Sequence, residues 1–191
     1  MKLRFLTLCL LLASCSTWTP QERMIIDSSD SLMYVCIMPR DSVVLRSVSQ
    51  DFKRADLSSK RFKRLADFML YTVKDPSQDG VGIAAPQVGI NRRMVCVQRF
   101  DKPGEPFECY ANIRIDSLFG SIVKGREGCL SVPGQRGIVP RWSNVAISYT
   151  DPVSGERCSE TIEGFSAIIF QHECDHLDGI LYTDKADSLF F

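Results

Sequence analysis

Both histidines of the chain lie four residues apart, with a glutamate directly after the first. His172, Glu173 and His176 belong to the segment QHECDHLD at residues 171–178. On a helix, residues four apart share one face, so this spacing brings two imidazoles side by side. Two such imidazoles hold one metal ion, and an adjacent carboxylate works on water bound to that ion. The segment therefore predicts a helix that carries a hydrolytic metal site.

The two histidines need at least one further protein ligand. No glutamate follows Glu173 and no third histidine exists, which excludes the ligand sets of thermolysin-type and metzincin-type peptidases. The remaining candidates are downstream carboxylates and upstream Cys129, which follows the flexible Gly128. By chemistry alone, Cys129 and Asp178 are equally good candidates for the third metal ligand. The further carboxylates are Asp184 and Asp187.

The composition is that of one soluble domain. A length of 191 residues with 45% apolar residues suits a single fold with a sizeable core. Basic and acidic residues balance at 23 each, so the chain has no basic surplus for a nucleic-acid partner. We therefore expect no specific nucleic-acid binding.

The N-terminus resembles a secretory leader. Lys2 and Arg4 precede an apolar run at residues 5–12, and LASC at residues 12–15 resembles a bacterial lipobox. The run is too short to span a bilayer as a helix. We expect a signal peptide at 1–14 ending at a lipidated Cys15, a flexible tether at 15–32 and a catalytic domain at 33–191. The expected location is the cell envelope, or the cytoplasm if the leader is not processed.

Eight cysteines occur in the chain, and six remain beyond Cys15. They show no CxxC spacing, so they predict neither a zinc ribbon nor a disulfide framework. We expect several of them to be small buried residues, and the sequence assigns no disulfide.

Hydrophobic periodicity predicts two principal helices and several strands. Residues 60–73 form an amphipathic pattern with a basic outer face, capped by Ser58 or Ser59 and ending near Asp75. A second helix contains the histidines and ends at Gly179. Strands are expected at 34–38, 93–100, 107–115, 118–123, 144–149 and 157–162. This pattern predicts an α+β domain.

Three separated motifs resemble those of the peptide deformylase family. They are GVGIAAPQ at 80–87, EGCLS at 127–131 and QHECDH at 171–176. They occur in the family's order, and the resemblance extends from about residue 34 to about residue 186. It implies antiparallel or mixed β-sheets around a central helix that bears the histidine motif. It also implies metal-dependent hydrolysis of the formyl group from N-terminal formylmethionine, with release of formate.

The resemblance further implies the metal site and the partner. Cys129, His172 and His176 would hold one divalent ion, usually iron(II) in this family, with zinc, nickel or cobalt as other occupants. The leader departs from the family's usual cytosolic or organellar setting, and oxidation there makes zinc more plausible. The expected partner is an N-formylmethionyl peptide or nascent-chain N-terminus, and the expected state is a monomer.

The remaining roles also follow from the resemblance. Glu173 would move the proton of the attacking water, while Gln87 and the backbone N–H of Leu130 would stabilise the oxyanion. Gly82 would let the backbone line the cleft. The substrate-pocket residues would be Val81, Ile168 and Glu127. Val81 and Ile168 are alternatively ordinary core residues, and Glu127 alternatively orients the neighbouring loop or is an exposed acid.

Two other functions stay open at this point. The first is a non-catalytic envelope protein that uses the same site to bind formylated peptides. The second is a zincin-type metallopeptidase with a downstream ligand such as Asp178. Arg136 and Arg141 are candidates to pair with a carboxylate near the site.

Overall fold

Two long strands joined by a tight turn form the frame of the fold. The computed structural model describes residues 18–191. Strand β3 covers Phe107–Cys129, and strand β4 covers Val132–Thr150. They pair antiparallel, and Cys129 opposes Val132 at the turn. The hairpin therefore carries Cys129 to its tip.

Four shorter strands complete the sheet. They are β1 (Gly82–Ala84), β2 (Met94–Gln98), β5 (Arg157–Glu163) and β6 (Ser188–Phe190). The order is β1-β2-β3-β4-β5, with β6 also on β4, and each of these pairs is antiparallel. The α+β prediction is confirmed.

The long hairpin is bent by several shifts of register. Shifts fall between Ala111 and Arg114, Ile115 and Ser117, Phe119 and Ile122, and Glu127 and Cys129. Such bulges turn a strand without ending it. We predicted two strands at 107–115 and 118–123, and the structure shows one bent strand. Residues 116 and 117, which separate the two predicted strands, lie at one of these shifts of register.

The two principal helices lie on opposite faces of the sheet. Helix α4 (Lys60–Lys74) packs in one hydrophobic cluster with Met94 and Cys96, and helix α5 (Gly164–Leu177) packs in another with Val95 and Val97. Because successive strand residues point to opposite faces, β2 separates the two helices. No helix within residues 18–191 is long and apolar enough to cross a bilayer.

The predicted ends of both helices are confirmed. Ser59 Oγ accepts a hydrogen bond from the N–H of Phe62, and Asp75 caps the other end of α4. After α5 the chain turns at Gly179, which has a φ of 72°. A Cβ there would lie 2.5 Å from the carbonyl oxygen of Arg46, so only glycine fits.

The segment before residue 33 corrects our tether prediction. Residues 20–28 form helix α1 (Pro20–Ser28), with a capping box between Thr19 and Glu22. Trp18 and Ile26 are buried in the cluster that contains α4. Its many Ser, Thr and Asp residues suggested a flexible segment, but two apolar side chains and a buried ion pair hold it in place. The leader and Cys15 lie outside the described residues.

Three short elements also differ from the sequence pattern. Helices α2 (Ser42–Leu45) and α3 (Arg54–Leu57) were not predicted. Residues 34–37 form no strand, and Met38 begins a turn. Cys36 N–H donates to the carbonyl of Gln87 (2.8 Å), and Met38 N–H donates to that of Ser131 (2.9 Å). These partners lie in a 3₁₀ helix (Ala85–Val88) and a turn, so no ladder forms.

One disulfide is present among the described cysteines. Cys96 and Cys109 are directly opposite each other on β2 and β3, and their sulfurs are bonded. Cys36 and Cys174 are free and buried, as expected for small core residues. The bond was not assignable from sequence, because it depends on strand register.

We predict that α1 contributes measurably to stability through Glu22. Its carboxylate accepts hydrogen bonds from Arg92 at 2.7 and 2.9 Å, and both side chains are buried. Glu22→Gln should lower the free energy of unfolding by about 3 kcal/mol. Asp27→Asn, in the more exposed pair with Arg61, should lower it clearly less, because solvent screens that pair. Urea denaturation measures both values, and equal losses would contradict the prediction.

The effect of Glu22→Gln should also depend on pH. Burial alone would raise the pKa of Glu22, but hydrogen bonds from Arg92 and Thr19 lower it below the usual 4.5. A lowered folded-state pKa stabilises the protein above the unfolded value, and the benefit is lost as pH falls through the folded pKa. The gap between wild type and Glu22→Gln should therefore narrow below pH 4.5.

Candidate active site

Three predicted ligands meet where the hairpin tip reaches α5. The ligand atoms of Cys129, His172 and His176 all lie within 4.8 Å of one another. Cys129 Sγ is 3.2 Å from His176 Nε2. The two histidines are one turn apart on α5, and their rings are 5.1 Å apart between centroids. Residues 47 positions apart in sequence thus form one cluster.

The structure decides between the two candidates for the third ligand. Asp178 caps the C-terminal end of α5, and its exposed carboxylate accepts a hydrogen bond from Arg93 at 2.5 Å. It is absent from the cluster that joins Cys129 to the histidines. The zincin-type ligand set is therefore not assembled around Asp178.

The donor set fits a divalent transition metal. One sulfur and two imidazole nitrogens suit zinc, iron, nickel and related ions. Glu127 Oε2 lies 2.9 Å from His172 Nδ1, which leaves Nε2 of that ring for an ion. His176 Nδ1 is buried and has no hydrogen-bond partner in the described structure.

The carboxylate behind His172 belongs to a buried ion network. Arg141 donates to both oxygens of Glu127, at 2.8 and 3.0 Å, and to Asp175 at 2.5 Å. Burial alone would raise the pKa of Glu127, but Arg141 and His172 lower it to about 2. Glu127 is therefore a buried carboxylate that orients His172, and it is not an exposed acid.

The charge state of the cysteine also suits a metal ligand. Burial alone would raise the pKa of Cys129, but the imidazoles of His176 and His172 lower it well below its usual value. Ser131 N–H and Gln87 Nε2 both donate toward the sulfur at 3.4 Å. These donors favour the thiolate, which is the form that binds metals.

Glu173 is a buried carboxylate of a different kind. Burial raises its pKa to about 7, although His172 and His176 act in the opposite direction. Its Oε2 has no hydrogen-bond partner among the described residues. A pKa near neutrality suits a group that both accepts and returns a proton.

Gly82 allows β1 to lie directly against this carboxylate. A Cβ at Gly82 would be 2.5 Å from Glu173 Oε1 and 2.8 Å from Ile169 Cγ2. Any side chain there would displace Glu173 or push β1 away from α5. The predicted role of Gly82 in close backbone approach thus has a steric cause.

Gln87 is held in one orientation beside the cysteine. Its Oε1 accepts from Ala84 N–H at 2.8 Å, so Nε2 points toward Cys129 Sγ and Ser131 Oγ. Leu130 lies in the turn directly after Cys129 and lines the same cleft as Gln87. The amide nitrogen of Gln87 is therefore on the metal side of the cleft, and Leu130 is in the cleft wall beside it.

A cleft of about 450 Å³ opens over these groups. Gly82, Gln87, Cys129, His172 and Glu173 line it. Predicted pocket residues Val81 and Ile168 line the same cleft. Further wall residues are Gly80, Leu130, Phe165, Ile169 and Arg136. Glu127, the third predicted pocket residue, also lines the cleft, whereas the metal-ligand candidate His176 is buried and is not in its wall.

Sequence reasoning missed three residues near the metal ligands. Tyr182 stacks on His172 with ring centroids 6.1 Å apart. Ser131 is fully buried beside Gln87, and Asp175 binds Arg141. Ser131 and Asp175 lie inside the quoted motifs, so the motifs themselves marked them. No sequence signal marked Tyr182.

The fold and the site define a metal-dependent hydrolase. A buried thiolate and two imidazoles form the ligand set, and a free carboxylate lies beside it at the base of a cleft. This is the arrangement in which a metal activates water and a carboxylate moves its proton.

Comparison with known proteins narrows this class. The family model described as "Polypeptide deformylase" matches residues 34–190. The peptide deformylase of Leptospira biflexa is 39% identical over 152 residues, which cover 76% of this chain and 83% of that protein. That of Symbiobacterium thermophilum is 40% identical over 153 residues, covering 80% of this chain and 67% of that protein.

A solved structure extends the match to three dimensions. It is a class I type b peptide deformylase from Acinetobacter baumannii with Met-Ala-Ser bound. It has a TM-score of 0.73 and 34% identity, and the match covers 82% of this chain and 99% of that one. The chain belongs to the peptide deformylase family. It is therefore a metal-dependent hydrolase that acts on N-formylmethionine.

We predict that metal content distinguishes Cys129 from Asp178. Cys129→Ala removes one of three ligands and should leave less than about a tenth of the bound metal. Asp178→Ala removes only the partner of Arg93 and should keep the wild-type metal content. Atomic emission after gel filtration measures both. Full metal content in Cys129→Ala would contradict the assignment.

Proposed function

We propose that this chain hydrolyses N-formylmethionyl peptides with the residues gathered around Cys129 and α5. The single observation that carries the proposal is the convergence of three separated motifs on one cleft. Gln87, Cys129 and Glu173 come from the three motifs, and all three line it. The products would be formate and a peptide with a free N-terminal methionine.

The metal would be held by Cys129, His172 and His176. When bound, a divalent ion lowers the pKa of water and polarises a carbonyl oxygen. Glu127 orients His172, and Arg141 keeps Glu127 ionised. The chain itself therefore fixes the ligands before any substrate enters.

Glu173 carries the proton through the reaction. Its carboxylate accepts the proton of the attacking water and later gives it to the amide nitrogen as the C–N bond breaks. A pKa of about 7 permits both steps near neutral pH. The close approach of Gly82 holds the carboxylate at the cleft wall.

Gln87 and Leu130 stabilise the negative charge on the formyl oxygen. Gln87 cannot rotate freely, because Ala84 N–H binds its oxygen and fixes the amide nitrogen on the cleft side. The backbone N–H of Leu130 supplies the second donor from the hairpin turn. Donors fixed in advance lose no free energy by reorienting during the reaction.

The apolar part of the cleft suits a methionine side chain. Val81, Ile168 and Phe165 line it beside the reactive groups. An unbranched thioether fills an irregular apolar wall well. The Acinetobacter relative with Met-Ala-Ser bound supports the same choice of peptide. We propose that the chain acts as a monomer.

We predict that Glu173→Gln abolishes turnover while the site stays assembled. The amide cannot accept the proton, so formate release from formyl-Met-Ala-Ser should fall by roughly 10³-fold or more. Metal content should remain, since Glu173 is not a ligand. Glu163→Gln, on the exposed N-cap of α5, is the matched control and should leave the rate unchanged.

The same assay tests the proposed function as a whole. Wild-type protein loaded with iron under anaerobic conditions should release formate from formyl-Met-Ala-Ser. Tight peptide binding without turnover would instead favour the non-catalytic binder. Undiminished turnover in Glu173→Gln would reject the assigned proton carrier.

For location, we propose a lipoprotein of the cell envelope, with a leader at 1–14 and lipidation at Cys15. The lipobox-like segment supports it. The Cys96–Cys109 disulfide supports it independently, because disulfides persist mainly in oxidising compartments. In such a compartment zinc is favoured as the bound metal, because iron(II) and its thiolate ligand are both sensitive to oxidation.

We predict that lipid labelling depends on Cys15 alone. Cells fed a radioactive fatty acid should label the wild-type chain and Cys9→Ala, but not Cys15→Ala. Cys9 is the matched control, since it lies in the same leader six residues earlier. Label that persists in Cys15→Ala would exclude anchoring through that residue.

A further inference from the structure

One surface of the protein is strongly basic although the chain as a whole is neutral. Residues 53–64 read KRADLSSKRFKR and contain six basic residues and one acid. That acid, Asp56, is buried beneath the surface. We call these six residues the basic surface. They are Lys53, Arg54, Lys60, Arg61, Lys63 and Arg64.

Most of the basic surface is open to solvent. Each of its six side chains is exposed except Arg61, which is half-buried. Asp27 pairs with Arg61 at 2.7 Å and Asp67 pairs with Lys63 at 2.6 Å. With the buried Asp56 there are three acids against six cations, which leaves a positive excess, and exposed pairs of this kind are weak. The surface is therefore available to an anionic partner.

The basic surface lies where the chain enters the folded domain. Trp18, the first described residue, packs on Phe52 with ring centroids 5.4 Å apart. Phe52 in turn contacts Phe62 at 5.1 Å. Phe52 precedes Lys53, and Phe62 lies between two of the basic residues. Trp18 is thus connected to the segment that carries the basic surface by two contacts between aromatic rings.

The distance from Trp18 to the proposed anchor is short. Trp18 lies three positions after Cys15, and an extended chain of that length spans at most about 10 Å. A lipid on Cys15 would therefore hold Trp18 close to the headgroups. The surface packed beside Trp18 would face the same membrane.

We propose that the basic surface contacts anionic phospholipid headgroups. Each basic residue near such a membrane adds attraction that falls off within a Debye length. Nucleic acid is the less suitable partner, because Phe52 and Phe62 are buried and offer no stacking platform for bases. The proposed envelope location identifies the physiological membrane, but the interaction itself needs no lipid anchor.

The basic surface and the cleft lie at opposite ends of one helix. The basic residues lie at or before the N-terminal end of α4, and the cleft residues Asp79 and Gly80 follow its C-terminal end. Helix α4 has 15 residues and is therefore about 21 Å long between its end residues. Lipid contact at the basic surface therefore uses residues separate from those that line the cleft.

Vesicle sedimentation tests the proposal with the chain that begins at Ser16. Residues 18–191 contain both main hydrophobic clusters, so this chain keeps every described contact. It should bind phosphatidylcholine vesicles only when phosphatidylglycerol is added, and salt should weaken binding. Lys53→Gln, Lys60→Gln and Lys63→Gln together should reduce binding roughly 100-fold.

A control variant with the same net charge separates this surface from overall charge. Lys74→Gln, Lys102→Gln and Lys124→Gln together should change binding less than about twofold, since Lys74 is at the opposite end of α4 and the other two pair with Glu108 and Asp187. Both triple variants should keep wild-type formate release, which separates this test from that of the enzymatic activity. Equal loss in the two variants would overturn the proposal. Equal binding to neutral vesicles, or tighter binding to single-stranded RNA at the same salt, would also overturn it.

Discussion

The buried ion network around Arg141 joins the elements on which the rest of the site depends. Arg141 on β4 binds Glu127 on β3 and Asp175 on α5, and Glu127 also binds His172. A buried charge is tolerated only when partners surround it, so these elements must meet in one geometry. The same geometry brings Cys129 to the histidines. The contacts that hold these elements together are therefore the same contacts that place the metal ligands.

Sequence reasoning predicted what local periodicity and motif chemistry determine. It placed α4 and α5 within a residue or two, and it named the three residues that form the ligand cluster. Residues on one helix, such as His172 and His176, are related by helix geometry alone. Cys129 is different, because chemistry ranked it level with Asp178 and the family resemblance was needed to separate them. The structure supplied the physical reason, which is that Arg93 binds Asp178 outside the cluster.

The features that sequence reasoning missed depend on contacts between distant segments. The composition of residues 15–32 predicts a tether where the structure has helix α1. The helix is held by the burial of Trp18 and Ile26 and by the pair of Glu22 with Arg92, and these contacts leave no local pattern. The bends of β3 depend on its register against β4. Tyr182 reaches His172 only because β4 and the chain after α5 pack together. A one-dimensional pattern contains none of this information.

The spacing of the disulfide cysteines has a consequence for how the chain matures. Cys96 and Cys109 are only 13 residues apart, whereas Cys129 meets its partners on α5 much later in the sequence. A chain exported N-terminus first would present these two thiols to an oxidant before Cys129 emerged. The early pair would bond to each other and so remove two of the thiols that could otherwise capture Cys129, while Cys36 would remain free. The order of these cysteines along the chain would thus reduce the number of wrong disulfides open to the metal ligand.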